Sequence, residues 1–320
     1  MNAAIKIIDL CSGAGGWACA ARGLPMEVVM AVDLWVPACR TYALNHPHVT
    51  VRQGDLRDQT IRDEVMERAD LARRDGSPLV VVGGVPCEWL SNYRSLNKVT
   101  DDERARQRAT LDSVLSLVES IKPDKWCLED VVGLIPELPL MTPFQVVNAG
   151  MYSPQRRKRV FVGDFPAPPI PARLDPRTLA HVLRDGPYRI GRRTDGREAR
   201  TNATFSSETM MAAHPDQKCP TICDLSSRRD AEMVIVDPLL PGGIRQMEWQ
   251  EAATAQGFPR DYVFWGSPSD VSRMVARAIQ IDLGREILKS ICGSLIRRRA
   301  CPCPLATQTP LTEGANNEHP

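Results

Sequence analysis

The first 130 residues alternate short apolar runs with amphipathic stretches, and this alternation restricts the fold more than any other feature of the chain. Ala4–Leu10, Glu27–Asp33, Val49–Asp55, Leu79–Val82 and Lys125–Leu128 read as strands. Between them, a stretch from Trp17, then Pro37–Asn45, Ile61–Arg74 and Asp102–Ile121, carry helical spacing of apolar residues. Strands separated by helices pair in parallel, because a parallel crossover needs a dozen or more residues. The expectation is an α/β fold with a doubly wound, Rossmann-like sheet. In such sheets ligands bind beyond the carboxyl ends of the strands, where the strand order reverses.

After Phe165 the texture changes. The run PAPPIP breaks the pattern, and Arg173–Arg200 is polar, arginine-rich and without periodicity. Helix and strand character returns near Met247, and Val271–Leu295 reads as one or two helices. The expected organisation is a catalytic domain over 1–164, a small loop-rich domain over 165–244, a return to the first domain over 245–300 and a disordered tail over 301–320. The 320 residues carry 40 Lys+Arg against 39 Asp+Glu, so a polyanionic partner would have to be met by locally segregated charge. Arg184, Arg189, Arg192, Arg193, Arg197 and Arg200 form such a segment. No apolar run approaches the roughly 20 residues that span a bilayer. The opening MNAAIKIIDL has neither the apolar core nor the cleavage site of a signal peptide, so the expected location is the cytoplasm. The 10 cysteines are then expected to be thiols, and the spacing of Cys219, Cys223, Cys301 and Cys303 does not match paired zinc ligands.

Chemistry-bearing residues fall at successive strand ends. Asp9-Leu-Cys-Ser-Gly-Ala-Gly-Gly16 lies between a strand and a helix, where Gly13, Gly15 and Gly16 let the backbone approach a ligand closely. Asp33, ending the second strand, is placed to accept from ribose hydroxyls, Trp35 to lie against an adenine, and Asp55 to accept from an adenine amino group. Gly83-Gly-Val-Pro-Cys-Glu-Trp-Leu-Ser91 puts Cys87 just past a strand, as a nucleophile. Glu129 ends the fifth strand beside it. In Gln155-Arg-Arg-Lys-Arg-Val-Phe161, Arg157 and Arg159 alternate and so share one face.

In this order DLCSGAGG, AVDLW, GGVPCEWLS, LEDV and QRRKRVFVG resemble the motifs of the cytosine-C5 DNA methyltransferases, written DLFxGxGG, an acid near the second strand end, GGPPCQxFS, ENV and QxRxRxFxxG. Pro220-Thr-Ile and Glu251-Ala-Ala-Thr-Ala-Gln-Gly-Phe-Pro259, followed by Asp261-Tyr-Val-Phe, extend the resemblance over about residues 4–163 and 220–295. It implies a flipped-out cytosine in double-stranded DNA, S-adenosylmethionine as donor and no metal. Cys87 would add to C6 and activate C5. Glu129 would hold the N3–N4 edge, and Arg157 and Arg159 the base carbonyl and nearby backbone. Asp9, Gly13, Gly15, Gly16 and Trp17 would line the methionine end of the donor, and Asp33, Leu34, Trp35 and Asp55 its nucleoside. Gln155, Arg189, Arg192, Arg193 and Arg197 would contact DNA, with the protein acting as a monomer in a bacterial or phage-infected cell.

Three positions depart from the family pattern. Glu88 stands for Gln, Asp130 for Asn, and Arg277 for the Asn of a GNAVP-like motif laid on Ala276-Arg-Ala-Ile-Gln280. A guanidinium beside a sulfonium needs a negative group between them. Either Glu88 or Asp130 supplies it, or the donor carries its own carboxylate, as in carboxy-S-adenosylmethionine, and the product is 5-carboxymethylcytosine. Cytosine-C5 modification of RNA and a catalytically silent DNA-binding module remain as alternatives.

Overall fold

A computed structural model describes residues 4–86, 90, 100–183, 217–222, 234–236 and 244–300. Its centre is a seven-stranded sheet in the order β3-β2-β1-β4-β5-β7-β6. The strands are β1 (Ile5–Leu10), β2 (Met26–Asp33), β3 (Thr50–Gln53), β4 (Leu79–Gly84), β5 (Lys125–Asp130), β6 (Phe144–Asn148) and β7 (Lys158–Val162). The first five pair in parallel, and β7 runs antiparallel between β5 and β6. The order reverses beside β1, with β2 on one side and β4 on the other. That places a crevice at the carboxyl ends of β1 and β4.

The apolar runs are continuous because both sheet faces are covered. On one face α3 (Gln59–Arg73) and α4 (Asp101–Ile121) bury Ile61, Val65, Leu111, Val114 and Leu117 against β1, β2 and β4. Each starts at a side-chain cap: Asp58 accepts from the Thr60 N–H at 2.8 Å, and Thr100 from the Glu103 N–H at 3.2 Å. On the other face lie α1 (Gly16–Ala21), α2 (Val36–Asn45) and the carboxyl-terminal helices α5 (Trp249–Gln256), α6 (Pro268–Arg277) and α7 (Ile281–Ala300). Leu283, Ile287, Leu288 and Ile291 of α7 bury there with Trp17 and Ala20 of α1. The carboxyl-terminal third therefore completes the domain that the amino-terminal third begins. A short hairpin, β8 (Val234–Val236) with β9 (Ile244–Gln246), stands apart from the sheet.

Several boundaries differ from the sequence reading. β3 stops at Gln53, because the Gly54 N–H turns to donate to the Asp33 carbonyl and Asp55 falls in the turn beyond. β4 continues through Gly83 and Gly84. At Gly83 a Cβ would collide with the Leu10 carbonyl oxygen, so no larger residue lets β4 pass this close to β1. β6 was not anticipated, as its alternating exposure at the sheet edge leaves only a weak apolar pattern. The packing does not stop at residue 165: Phe165, Leu179, Val182 and Leu183, then Cys219 and Ile222, join the core of the sheet domain. Cys219 is a buried free thiol. Among the described residues no helix is long and apolar enough to cross a membrane. The expected tail over 301–320 lies outside the described residues.

Candidate active site

Four strand ends converge on the crevice. β1 delivers Cys11 and the glycine loop, β2 delivers Asp33, β4 the Gly84-Val85-Pro86 approach, and β5 Glu129 and Asp130. The loop is shaped by backbone that side chains rarely adopt: Cys11 (φ 49), Gly13 (φ 55) and Gly15 (φ 91) all have positive φ. It is pinned from behind. The Tyr262 hydroxyl donates to the Ala14 carbonyl, and its oxygen lies 3.3 Å from His46 Nε2. The phenol has one proton and gives it to Ala14, so the imidazole Nε2–H is the donor to Tyr262. Burial, with Arg22 nearby, pushes the His46 pKa down to about 4, which keeps the ring neutral.

Asp33 is held by its own loop, accepting from the Gly13 and Trp35 N–H groups, each at 2.8 Å. Burial raises its carboxyl pKa, opposed by those two hydrogen bonds and by the charge of Arg277. Arg277 lies on α6, with its guanidinium 5.9 Å from the centre of the Trp35 ring, and Arg273, one turn earlier, lies at 5.5 Å. The carboxylate whose ionisation Arg277 favours is thus Asp33, which the sequence did not single out for this; Glu88 lies outside the described residues. Cys11 is surrounded by acids. Burial pushes its thiol pKa up, and the charges of Asp33, Asp9, Asp55 and Asp130 push it further. This concentration of carboxylates fits a ligand that carries a sulfonium and an ammonium, and Trp35 beside Asp33 fits its nucleoside. S-adenosylmethionine therefore suits the residues present.

At the end of β5, Glu129 is buried and its Oε1 lies 3.0 Å from Arg159 Nε and 3.9 Å from Arg157 Nε. β4 and β5 place it beside the route to the cysteine: the Val85 N–H donates to the Glu129 carbonyl at 3.3 Å. Cys87 and Glu88 lie outside the described residues, as do Arg189, Arg192, Arg193 and Arg197.

Some predicted residues take other positions. Gln155 is fully buried, and its Nε2 donates to Gln256 Oε1 at 2.9 Å. Trp17 is a core residue whose indole N–H donates to the Gly83 carbonyl at 3.2 Å, so it ties α1 to β4. Asp9 sits behind the loop, accepting from the Tyr42 hydroxyl at 3.2 Å. Burial raises its pKa, with Tyr42 opposing, and its Oδ1 has no hydrogen-bond partner among the described residues. Arg157 is buried and donates to the carbonyls of Ala276 at 3.0 Å and Ile222 at 3.4 Å, which leaves Arg159 as the less buried of the two arginines. Asp55 gives both carboxylate oxygens to Arg57, which pulls its pKa down. Leu34 is exposed beside the crevice. Tyr262 and Gln256 lie in the DYVF and QGF runs of the resemblance, and His46 in no motif, so none of the three carries a role legible from sequence. Cys11 stands where the family pattern has Phe.

The strand order and this acid-lined switch point define a Rossmann-like fold of the S-adenosylmethionine-dependent type. Solved structures of a DNMT2 variant from Spodoptera frugiperda and of the S. pombe Dnmt2 methyltransferase share it. Their TM-scores are 0.67 and 0.66 at 16% and 13% identity, covering 90% and 91% of this chain and 99% of each of those chains. The chain belongs to the C-5 cytosine-specific DNA methylase family, whose model matches residues 5–138 and 186–293, more than half of its length. The type II methyltransferase M.SacI of Streptomyces achromogenes is 30% identical over 191 residues, covering 51% of this chain and 48% of that protein. M.AgeI of Thalassovita gelatinovora is 29% identical over 204 residues, covering 57% and 46%. M.HgiDI of Herpetosiphon aurantiacus is 25% identical over 322 residues, covering 92% and 96%. The chain thus spans about half the length of the first two relatives and nearly all of the third.

Proposed function

We propose that this protein transfers a one-carbon group to C5 of a cytosine flipped out of double-stranded DNA. The observation that carries the reading is Glu129, buried and held by Arg159 at 3.0 Å, on the strand next to the one that leads to Cys87. Removing the base from the stack costs a few kcal/mol and is needed because C6 and C5 are not accessible to in-line attack inside the duplex. The Cys87 thiolate adds to C6, and the ring electrons move to make C5 nucleophilic. Glu129 holds the N3–N4 edge and stabilises the protonated ring as charge develops. Arg159 orients Glu129 and faces the base carbonyl, while Arg157 fixes the segment behind it.

Asp33, Trp35 and the glycine loop would hold the donor, which supplies an electrophilic carbon on a sulfonium. When bound, it would give that carbon to C5 and depart as the neutral thioether with the electron pair of the broken carbon–sulfur bond. The C5 proton then passes to water, its electron pair forms the C5–C6 double bond, and the Cys87 thiolate leaves C6 with the electrons of the broken bond.

A second reading concerns the donor. Arg277 reaches the Trp35 face, within the field of Asp33. With plain S-adenosylmethionine, Asp33 offsets the added positive charge. With carboxy-S-adenosylmethionine, Arg277 would grip the donor's carboxylate in a bidentate charge-assisted pair. Incubation of duplex DNA with each donor, followed by nucleoside mass analysis, tests both readings. 5-methylcytosine supports the first, and 5-carboxymethylcytosine, reduced by Arg277→Asn, supports the second. Product on an RNA substrate alone, or DNA binding with no product from either donor, would overturn the proposal.

A further inference from the structure

The segment carrying Arg277 is gripped from the base side at two points. The buried Arg157 guanidinium donates to the carbonyl of Ala276, the residue before it, at 3.0 Å. The buried Gln256 amide donates to the carbonyl of Ala278, the residue after it. Gln256 is in turn oriented by Gln155. The Ala278 carbonyl requires the NH2 of Gln256, which turns its Oε1 towards Gln155 Nε2, 2.9 Å away. Gln155 and Arg157 lie on the segment that leads into β7, whose Arg159 holds Glu129. The same segment abuts the glycine loop, because a Cβ on Gly16 would lie 2.9 Å from Ile279 Cγ2.

We infer that Gln155 and Gln256 form a positioning relay, which sets the place of Arg277 on the Trp35 face of the donor pocket from the strand that carries the base-binding arginine. Two amides in series, each with its orientation dictated by the next, transmit position with little slack, since a flip of either leaves a buried donor or acceptor unpaired. Both glutamines are fully buried. This inference rests on the proposal that the Trp35–Asp33 pocket takes the donor.

The test is calorimetric titration of the full chain with S-adenosylhomocysteine, without DNA. Gln256→Met severs both relay bonds at nearly constant volume and is expected to weaken binding about tenfold, the equivalent of one buried hydrogen bond. Gln155→Met leaves the Gln256–Ala278 bond and is expected to weaken it about threefold. In an Arg277→Ala background the Gln256→Met effect is expected to shrink below about twofold, because the residue being positioned is gone. A full tenfold effect there means that Gln256 acts elsewhere and overturns the relay, as does wild-type affinity in both methionine variants. Should Gln256→Met not fold, as judged by its thermal melt, Gln155→Met carries the test alone, and unchanged affinity overturns the inference. Failure of the wild-type protein to bind S-adenosylhomocysteine would instead count against the donor reading itself.

Discussion

Alanine at Gly15 and alanine at Gly13 should have very different costs, although both glycines sit in one loop with positive φ. At Gly13 (φ 55) a Cβ meets nothing within 4 Å, so Gly13→Ala bears only the left-handed backbone penalty. At Gly15 (φ 91) a Cβ would lie 2.8 Å from Tyr262 Oη and 3.2 Å from His46 Cδ2 and Nε2, so the substitution adds a clash with two buried side chains. The backbone penalty is about 1 kcal/mol. Displacing Tyr262 leaves the Ala14 carbonyl unpaired and the His46 N–H with only the Cys19 sulfur at 3.8 Å, about 2 kcal/mol more. At about 2 °C per kcal/mol for a chain of this size, melting should fall by about 2 °C in Gly13→Ala and about 6 °C in Gly15→Ala. Tyr262→Phe removes the oxygen that the new methyl would strike. The double variant Gly15→Ala/Tyr262→Phe should therefore fall short of the sum of its singles by about 1 kcal/mol. Differential scanning calorimetry on the four variants reads all of this. Equal melting of the two alanine variants, or strict additivity in the double, would refute the claim that Tyr262 pins the loop from behind.

His46 should make stability depend on pH with a definite sign. Its folded pKa, about 4, is depressed below the ordinary value of about 6.5, so the unfolded chain binds more protons between those values, and stability is lost as pH falls through that window. Asp9, with its raised pKa, contributes the opposite slope over part of the window, so the quantity to read is the difference between wild type and His46→Gln, which should shrink towards pH 4. The two arginines on Glu129 should separate by kind of defect. Arg157→Met removes bonds to Ala276 and Ile222 as well as a charge, and should lower both melting temperature and turnover. Arg159→Met, at a less buried position, should keep most of the stability and lose about a hundredfold in kcat, as read by tritium transfer and thermal melts.

The sheet was legible because its strands are apolar throughout and its helices amphipathic, a contrast that survives without any tertiary information. The strand-end residues Asp33 and Glu129 were legible for the same reason, since the pattern fixes where each strand stops. The burial of Gln155 was not legible, because a polar residue beside four basic ones looks like a surface turn. Only the fold brings Gln256 from about a hundred positions away to bury it. The direction of Trp17 and Asp9 was not legible, because adjacency to the glycine loop does not reveal which way a side chain faces: both turn inward, to Gly83 and Tyr42. Tyr262 and His46 meet across more than two hundred residues, so no local spacing could pair them.

The account stands on Cys87 as the nucleophile. Duplex DNA containing 5-fluorocytosine in place of cytosine, incubated with the protein and S-adenosylmethionine, measures this directly, because fluorine at C5 blocks the loss that frees the enzyme. The predicted result is a denaturation-resistant protein–DNA adduct whose modified peptide carries the pyrimidine on Cys87, and which Cys87→Ser abolishes. An adduct on another residue, or undiminished turnover of ordinary DNA by Cys87→Ser, would contradict it.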